Sequence, residues 1–522
     1  MKAKAKEVKL SFKRRGIIKR IFSRPTLFSL LFLVQVGLIV LFAVNFTRYY
    51  VVYYWLDFVI RLTALLVMVI RKSDTPYKVS WLIIMIVFPI VGAGIYLLIS
   101  MDWFPYRMRR RIKKQMADIA SLQSFHLKTI KDLEKVDSRY AGIANYLTYS
   151  AAYPTFKNNP LTYYESGEAS LTDFLNDLKN AKKFIFLEFF IVKNGTLLQE
   201  VLDILRKKAK EGVEIKFLYD GFNAMLSMPF SYPKKLTSVG IETRVFSQQK
   251  TPFFHRESYR SHRKSIVIDG RIGYVGGVNL ADEYVNRVKR FGYWKDAMLR
   301  VEGDSVNSIT LSFLAMWDHE AKHPLEKSRY IVHSKEKYEV ENFVIPYSDH
   351  PLDEENTGLN VYLEIINKAT DYIFISSPYF VVENDFIKAL TYAAKRGVDV
   401  KILLPSIADK KIINYVAKSY YKALVKAGIK IYEYLPGFNH AKIFVSDDVV
   451  FSVGSINLDY RSFYLSYENA IFAYDPNVAV SIKKDLIKAF RKSKLIDEKN
   501  VRLVKRPIII MGYFFRLFAP LF

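Results

Sequence analysis

The stretch His262-Arg-Lys-Ser-Ile-Val-Ile-Asp269 returns later in the chain as His440-Ala-Lys-Ile-Phe-Val-Ser-Asp447. Both copies have the spacing H-x-K-x4-D, and a turn of small residues that ends in asparagine follows each of them. Together they supply eight polar residues: His262, Lys264, Asp269 and Asn279, then His440, Lys442, Asp447 and Asn457. Two histidines, two lysines and two asparagines around one phosphate suit phosphoryl transfer, because they provide a nucleophile, a proton donor and groups that bind the phosphoryl oxygens.

The motif lies within a longer repeat. Three further pairs of stretches match in the same order: Ala181 to Glu188 with Ala369 to Ser376, Gly212 to Leu218 with Gly397 to Leu403, and Gly240 to Thr243 with Gly428 to Ile431. The matching runs are typical of strands, and the stretches between them have helical spacing. The sequence therefore predicts an α/β fold with two duplicated domains, 151–340 and 341–500, each a mixed sheet flanked by helices.

The front of the chain is apolar. Residues 27–46 carry no charge, residues 79–100 contain a second long apolar stretch, and both are long enough to cross a bilayer. Residues 49–70 are also apolar but include Asp57 and Arg61, which are four apart and able to pair on a helix. We expect a membrane region over 25–104 with two to three spans and a multi-pass location in the cell membrane. The alternative for 49–70 is an interfacial amphipathic helix.

The net charge is +27, and two basic clusters flank the apolar region. One is a tail over residues 1–24, and the other lies in a linker and helix over 105–150. Basic clusters beside spans usually mark the cytoplasmic face and attract anionic lipids. Three complete spans would place the two clusters on opposite faces, so either one cluster violates this rule or one segment does not cross. Phospholipid is the simpler polyanionic partner, since no nucleic-acid-binding motif accompanies the charge.

Several classes of chemistry are disfavoured. The chain has no cysteine, which excludes thiol catalysis and thiolate metal sites, and it lacks a Walker phosphate loop. His319-Glu-Ala-Lys-His323 matches the zinc-protease signature, but Pro324 follows at once and disfavours the helix that this signature needs. We therefore expect no metal and no cofactor. The remaining histidines, including His255 and His350, are expected at the surface.

Strand geometry assigns first roles to the motif residues. Side chains alternate along a strand, so each histidine shares a face with the lysine two residues later, and the aspartate falls on the other face. We expect Asp269 and Asp447 to hold turns. We expect Asn279 and Asn457 to donate amide groups to an oxyanion.

These motifs resemble those of the phospholipase D superfamily and, within it, the bacterial cardiolipin synthase family. The resemblance covers about residue 50 to the end and rests on these stretches: Tyr259 to Lys264, Gly276 to Tyr284, Trp294 to Asp296, Gly454 to Phe463, Glu468, Tyr77 to Tyr96 and Arg516 to Phe522. Two departures are Ser261, where the family usually has Asn, and Asn439, where an apolar residue is common. Residues 27–46 are additional to the usual two-span front.

The resemblance implies a chemistry. His262 would attack the phosphorus of phosphatidylglycerol to form a phosphohistidine. His440 would protonate the departing glycerol and then activate the hydroxyl of a second phosphatidylglycerol, which gives cardiolipin. The groups that would bind the phosphoryl oxygens are Lys264, Lys442, Asn279 and Asn457, and Asp269 and Asp447 complete the motifs. The residues alone do not decide which histidine is the nucleophile.

An imidazole needs an orienting partner. Asp296 and Glu468 lie 34 and 28 residues after the motif histidines of their own halves, and we predict that they orient His262 and His440. Glu188, which ends a repeat strand, is a candidate for a supporting role behind them. The alternative is a structural carboxylate in each case.

Other functions remain open at this point. A phospholipase that passes the phosphatidyl group to water would use the same residues, as would a phosphatidyltransferase with another acceptor or a nuclease. A non-catalytic lipid-binding scaffold would need neither histidine. The apolar tail over 501–522 either lies at the membrane interface or packs on the catalytic core. Oligomeric state and acyl-chain preference are not encoded in any motif.

Overall fold

The computed structural model describes residues 46–71, 75–100, 105–123, 127–222, 227–246, 259–319, 321, 324–352 and 355–521, with single positions between 33 and 40. The predicted basic tail over 1–24 and nearly all of the predicted span over 27–46 lie outside these residues. So do His126, His255 and His323.

The first described element is a long apolar helix, α1 (Phe46–Ile70). Within the described ranges, its segment Tyr50–Ile70 is the helix that is long and apolar enough to cross a membrane. The predicted pairing of Asp57 with Arg61 is confirmed, since the two side chains form an ion pair. That contact shields two charges that are otherwise costly in an apolar setting.

Residues 79–100, predicted as one span, instead form a hairpin of two short helices, α2 (Thr75–Val87) and α3 (Pro89–Ser100). The rings of Trp81 and Tyr96 lie 5.5 Å apart, whereas a straight helix would separate these positions by about 22 Å. Pro89 lacks the N–H that would continue α2. Gly92 lets the two backbones meet, because a β-carbon there would come within 2.8 Å of the carbonyl oxygen of Ile84.

The predicted linker over 105–150 is largely helical, with α4 (Pro105–Leu122), α5 (Leu127–Val136) and α6 (Ala141–Asn145). A 3-10 turn (Ser138–Tyr140) precedes α6 and a π-turn (Tyr146–Ser150) follows it. Leu133, Tyr140 and Leu147 are fully buried in the core of the second domain. The second half of the linker is therefore part of that domain's core.

The first domain is built on a seven-stranded sheet with the order β2-β10-β8-β7-β3-β4-β5. Its strands are β2 (Leu161–Tyr164), β3 (Phe184–Phe189), β4 (Glu214–Asp220), β5 (Ile241–Phe246), β7 (Ser265–Ile268), β8 (Ile272–Gly276) and β10 (Met298–Glu302). The neighbours β3, β4 and β5 are parallel, and β7 and β8 join antiparallel. The helices are α7 (Gly167–Asn180), α8 (Thr196–Lys210), α9 (Tyr232–Thr237) and α10 (Val306–Trp317), with 3-10 turns at Asp282–Val285 and Lys327–Tyr330.

The second domain repeats this plan around a larger sheet with the order β1-β11-β20-β18-β17-β12-β14-β15-β21. Its strands are β1 (Phe156–Lys157), β11 (Phe343–Asp349), β12 (Tyr372–Ser376), β14 (Asp399–Pro405), β15 (Lys430–Tyr434), β17 (Ile443–Ser446), β18 (Val450–Gly454), β20 (Ser466–Tyr474) and β21 (Ser493–Ile496). The helices are α11 (Thr357–Lys368), α12 (Asn384–Lys395), α13 (Lys411–Lys426), α14 (Tyr460–Tyr464), α15 (Pro476–Arg491) and α16 (Glu498–Leu503). The predicted mixed α/β fold is confirmed in both halves. Strand β1 lies within 151–340, the predicted first domain, yet it pairs with β11 of the second domain.

Short ladders connect the two halves and complete the set of strands. Across the domain interface, β6 (Arg260–Ser261) pairs in parallel with β20, and β16 (Gly437–Asn439) pairs in parallel with β9 (Tyr293–Lys295). Within the second half, β13 (Phe380–Val381) pairs with β19 (Leu458–Asp459). The segment just before each motif histidine is therefore hydrogen-bonded to a strand of the opposite domain.

The C-terminal tail packs on the catalytic core and reaches the apolar front. Helix α17 (Arg506–Arg516) lies against α13, and Gly512 meets the backbone of Tyr415. The last 3-10 turn (Ala519–Leu521) contacts α2, where the Ser80 hydroxyl donates to the Leu517 carbonyl at 2.6 Å. Ile510 and Phe514 on the other face of α17 are exposed.

Candidate active site at the domain interface

The two motif histidines face each other across the domain interface, and the short ladders place them there. The backbone N–H of His262 donates to the Tyr467 carbonyl at 2.9 Å. In the same way, the backbone N–H of His440 donates to the Lys295 carbonyl at 2.7 Å. Each histidine is thus fixed by a strand of the other half. The residue that accepts its N–H, Tyr467 or Lys295, comes directly before a buried carboxylate, Glu468 or Asp296.

Each imidazole is held by a carboxylate from the opposite domain. Nδ1 of His262 lies 2.9 and 3.0 Å from the two carboxylate oxygens of Glu468. Nδ1 of His440 lies 2.7 Å from Oδ2 of Asp296. The predicted pairing of each carboxylate with the histidine of its own half is wrong, because the partners are exchanged between the domains. The reason is the register of the ladders, since Ser261 lies opposite Tyr467 and Asn439 lies opposite Lys295.

The motif lysines lie on the same side of the strands as the histidines, as the alternation of side chains predicts. Nζ of Lys442 lies 3.0 Å from both ring nitrogens of His440 and donates to its carbonyl at 2.5 Å. Nζ of Lys264 donates to the carbonyl of His262. Both lysines are at most 1 % exposed. Because burying an ammonium group is costly, the nearby carboxylates are needed to balance them.

Burial and the lysines lower the proton affinity of both imidazoles. Burial, followed by the charges of Lys264 and Lys442, holds the pKa of His262 well below its usual range. Burial and Lys442 lower the pKa of His440 to about 4, against the opposing charge of Asp296. Both imidazoles are therefore neutral at neutral pH, which is the form in which a histidine acts as a nucleophile or a base.

The remaining charges of the site are tuned by the same environment. Burial raises the pKa of Glu468 to about 7, although Lys264 opposes this rise. Burial lowers the pKa of Lys442 to about 8. Burial also opposes ionisation of Asp296, but the hydrogen bond with His440, the charge of Lys442 and the backbone N–H of Ala297 lower the pKa of that carboxyl. Perturbed groups of this kind cluster at functional sites.

Asn279 and Asn457 lie at the edge of the same centre. Oδ1 of Asn279 accepts the backbone N–H of Ile191 at 2.8 Å, which leaves its amide nitrogen on the opposite side, next to the Tyr284 hydroxyl. The side chain of Asn457 is buried, and within the described part of the chain its Oδ1 has no hydrogen-bond partner. In this orientation the open atom of Asn457 is an acceptor, and a rotation of 180° about its Cβ–Cγ bond presents the amide nitrogen, the donor that a phosphoryl oxygen requires.

Asp269 and Asp447 hold turns, as the strand alternation predicts. Asp269 accepts the backbone N–H groups of Lys182, Lys183 and Phe184 at 2.6–2.9 Å, and so fixes the start of β3. Asp447 does the same at the start of β12, through the N–H groups of residues 370–372, and also binds Arg139. Both aspartates adopt left-handed backbone conformations (φ 55° and 54°), which Asp tolerates better than most residues.

Glu188 supports the segment around His262 without contacting the imidazole. It accepts the Ser261 hydroxyl at 2.7 Å and lies 3.3 Å from Nε of Arg263. In the second half, Ser376 and Asn439 form the equivalent pair at 3.0–3.1 Å. The two departures from the family pattern, Ser261 and Asn439, thus each bind the polar residue that ends the neighbouring repeat strand.

Several residues around the histidines have contacts for which the sequence predicts no role. The Ser455 hydroxyl donates to Glu468, and Gly277, its counterpart in the repeat, leaves room for Asp296 because any β-carbon there would overlap that carboxylate. Aromatic rings enclose the imidazoles: Phe190 beside His262, and Tyr284, Trp294 and Phe438 beside His440. Alignment of the two repeats places Gly277 opposite Ser455 and could have indicated this difference between the halves. No sequence pattern predicts the aromatic contacts.

Two histidines outside the motifs are placed by the structure. His350, expected at the surface, is buried, with its ring stacked on Tyr467 at 6.0 Å. Residues around it pack on β20, so the surface expectation was wrong. Helix α10 ends at Trp317, and His319 follows it, so the zinc-protease signature does not lie on the helix that it requires.

Comparison with known proteins agrees with this geometry. The model of the family described as "Cardiolipin synthase, PLD-like domain" matches residues 174–302 and 362–492. A cardiolipin synthase of Halalkalibacterium halodurans is 32% identical over 81% of this chain and 84% of its own length. A cardiolipin synthase of Alkalihalophilus pseudofirmus is 33% identical over 83% and 86%. The chain belongs to the cardiolipin synthase family.

Two further matches concern the apolar N-terminal region and the fold of the two domains. A model described as "Phospholipase_D-nuclease N-terminal" matches residues 62–100, which includes the α2–α3 hairpin. Among solved structures, a phosphatidylserine synthase of Haemophilus influenzae superposes with a TM-score of 0.55 at 16% identity, covering 69% of this chain and 95% of that one. At that identity the likeness concerns the fold, which this member of the cardiolipin synthase family shares.

Proposed function

We propose that this enzyme transfers a phosphatidyl group from one phosphatidylglycerol to another, giving cardiolipin and glycerol through a phosphohistidine. One observation carries the proposal: two imidazoles, each held at Nδ1 by a buried carboxylate of the opposite domain, lie at one centre with two buried lysines. A double displacement at phosphorus needs a nucleophile and a proton carrier, and this pair supplies both.

In the first step, Nε2 of His262 attacks phosphorus while the bond to the headgroup glycerol oxygen breaks. Glu468 holds Nδ1–H of the attacking ring, so Nε2 carries the lone pair. The phosphoryl oxygens are bound by Lys264, Lys442, Asn279 and Asn457, which stabilise the added negative charge. No metal ion is required for this neutralisation, because two ammonium and two amide groups serve it.

His440 protonates the departing glycerol oxygen and therefore has to carry a proton when substrate is bound. Its pKa of about 4 results from burial and from Lys442. A phosphodiester anion pairs with that lysine and adds a negative charge beside the ring, and both changes raise the pKa of His440. Substrate binding thus prepares the general acid, while Asp296 stabilises the imidazolium that forms.

In the second step, His440 takes the proton from a hydroxyl of the second phosphatidylglycerol. The hydroxyl oxygen bonds to phosphorus, the phosphorus–nitrogen bond breaks, and His262 is restored. Splitting the exchange into two displacements lets one centre serve both steps. Transfer to water, which yields phosphatidic acid, uses the same residues and is the alternative outcome.

A product assay tests this proposal. Purified enzyme is incubated with vesicles of phosphatidylglycerol alone, beside a His262→Ala control. We expect cardiolipin and free glycerol in equal amounts, and neither in the control. Phosphatidic acid without cardiolipin would make the enzyme a hydrolase, and an active control would exclude His262 as the nucleophile.

The protein is associated with the membrane, and we propose further that it is multi-pass, with residues 27–46 and the segment Tyr50–Ile70 of α1 as its two spans. The α2–α3 hairpin enters and returns on one face, because Arg71 just after α1 contacts the Ser100 carbonyl at the end of α3. Each arm is at most about 20 Å long, too short for a core of roughly 30 Å. This arrangement puts the basic clusters at 1–24 and 107–114 on the same face, next to anionic lipids.

Cysteine labelling tests the topology cleanly, since the chain has no native cysteine. In intact cells, a membrane-impermeant maleimide is expected to label Thr47→Cys, between the two spans. It is expected to label Ser73→Cys and Lys499→Cys only after the membrane is opened. Labelling of Ser73→Cys and Lys499→Cys from opposite faces would mean that the hairpin crosses, and would refute the arrangement.

A further inference from the structure

The two halves of the active centre differ at one point of the repeat. After β3 the chain continues with the apolar residues Phe190 and Ile191, whereas at the matching place after β12 it continues with Pro378 and Tyr379. The Tyr379 hydroxyl donates to Oδ2 of Asp409 at 2.7 Å. Asp409 lies in the loop between β14 and α13 and is exposed. The pair of Tyr379 and Asp409 in the second half thus takes the place of the apolar residues Phe190 and Ile191 in the first half.

This pair lies on the side of His440. The segment that carries Tyr379 leads into β13, which pairs with β19 directly after Asn457. The charge of Asp409 acts on Lys442 and on Tyr284, whose ring lies 5.3 Å from that of His440. In an in-line displacement with His262 as nucleophile, the His440 side is where the glycerol leaves and where the second glycerol enters.

A cation completes the cluster. Nζ of Lys410, the residue before α13, lies 5.0 Å from the ring centre of Tyr379. Lys410 is exposed, yet its charge also acts on His262 and on Asp459 of β19. Asp409 and Lys410 thus place a carboxylate and an ammonium group side by side against Tyr379. Carboxylates accept hydrogen bonds from hydroxyls, and ammonium groups pair with phosphates.

We propose that Tyr379, Asp409 and Lys410 form the subsite for the glycerol headgroup of the acceptor. Asp409, oriented by Tyr379, accepts a hydrogen bond from the second hydroxyl of the glycerol unit and so aims the reacting hydroxyl at His440. Lys410 pairs with the phosphate of the acceptor phospholipid, which free glycerol lacks. The inference rests on the proposed transferase function and assigns its acceptor recognition to named residues.

The test separates the two steps of the reaction. The donor is phosphatidyl-p-nitrophenol, whose leaving group has no hydroxyl to recognise and needs no proton. Nitrophenol release measures formation of the phosphohistidine, and the products measure its partition among water, glycerol and phosphatidylglycerol. The variants are Asp409→Asn and Lys410→Gln, and Lys411→Gln, an exposed neighbour outside the cluster, is the matched control.

Each variant has its own expected pattern. Asp409→Asn lowers the ratio of transfer to hydrolysis about 10- to 100-fold for both glycerol and phosphatidylglycerol, the range for loss of one charge-assisted hydrogen bond. Lys410→Gln lowers this ratio about tenfold for phosphatidylglycerol but not for glycerol. The control leaves all ratios unchanged. Tyr379→Phe is expected to follow Asp409→Asn in direction, because it removes the group that orients the carboxylate.

Two results would overturn the subsite. One is an unchanged partition ratio in Asp409→Asn and Lys410→Gln while the wild-type enzyme forms cardiolipin. The other is an equal fall of the ratio for glycerol and phosphatidylglycerol in Lys410→Gln, since phosphate recognition would then be absent. If the wild-type enzyme itself passes the phosphatidyl group only to water, the proposed function fails first, and that outcome is visible without any variant.

Discussion

Replacing His440 by alanine is expected to leave an enzyme that forms the phosphohistidine once and then stops. With phosphatidyl-p-nitrophenol as donor, the departing nitrophenolate needs no proton, so the attack by His262 proceeds without the general acid. Release of the intermediate needs a base to activate the acceptor hydroxyl, and that base is absent in the variant. We therefore expect a burst of nitrophenol equal to the enzyme present, with later turnover lowered by about 10⁴-fold or more.

His262→Ala is expected to show no burst at all, since the atom that attacks phosphorus is gone. The intermediate is identified by quenching at alkaline pH, where phosphohistidine survives, and by mass spectrometry of the peptide that contains residue 262. His333→Ala, at an exposed histidine outside the centre, serves as the control and is expected to turn over normally. A phosphatidyl group on His440 in the His262→Ala enzyme would reverse the two roles.

The second large effect concerns the crossed carboxylates. Glu468→Gln is expected to slow the burst by roughly 10²- to 10⁴-fold, because a neutral amide no longer fixes the tautomer of His262. Asp296→Asn is expected to preserve the burst and to slow later turnover by a similar factor, because its partner is His440. Stopped-flow measurement of nitrophenol release gives both rates.

Pairing within each half, as the sequence analysis assumed, predicts the opposite result, with the burst lost in Asp296→Asn. The experiment therefore decides between two arrangements rather than between activity and inactivity. Thermal melting of both variants provides the control for folding. Similar melting temperatures are expected, because each amide retains the shape of the carboxylate that it replaces.

The pH dependence gives an independent readout of Glu468. Its pKa is raised to about 7 by burial, so the carboxyl takes up a proton as the pH falls through about 7. The protonated form no longer provides the negative charge that holds Nδ1–H of His262. The burst rate is therefore expected to be half-maximal near pH 7, to approach its full value about one pH unit higher, and to fall further below pH 7. This fall is expected to be absent in Glu468→Gln. If the burst rate of Glu468→Gln falls below pH 7 as in the wild-type enzyme, a group other than Glu468 titrates there.

The sequence by itself determined the chemistry of this protein. Two H-x-K-x4-D motifs at matching places of a repeat indicate a duplicated α/β fold and a phosphoryl-transfer centre, and the comparisons confirm the family. Alternation of side chains along a strand also predicted that each lysine shares a face with its histidine and that Asp269 and Asp447 turn away. These features are local, because they depend on spacings of a few residues within one strand and its turn.

The tertiary structure decided how these groups combine. His262 meets Glu468 across 206 positions of sequence, and His440 meets Asp296 across 144. These partners follow from the register of two short ladders between domains, and spacing within one half holds no information about that register. The hairpin in the apolar N-terminal region could not be predicted from hydropathy for a related reason. Hydropathy reports that residues 79–100 avoid water, but only the contact of Trp81 with Tyr96 reveals that they turn back.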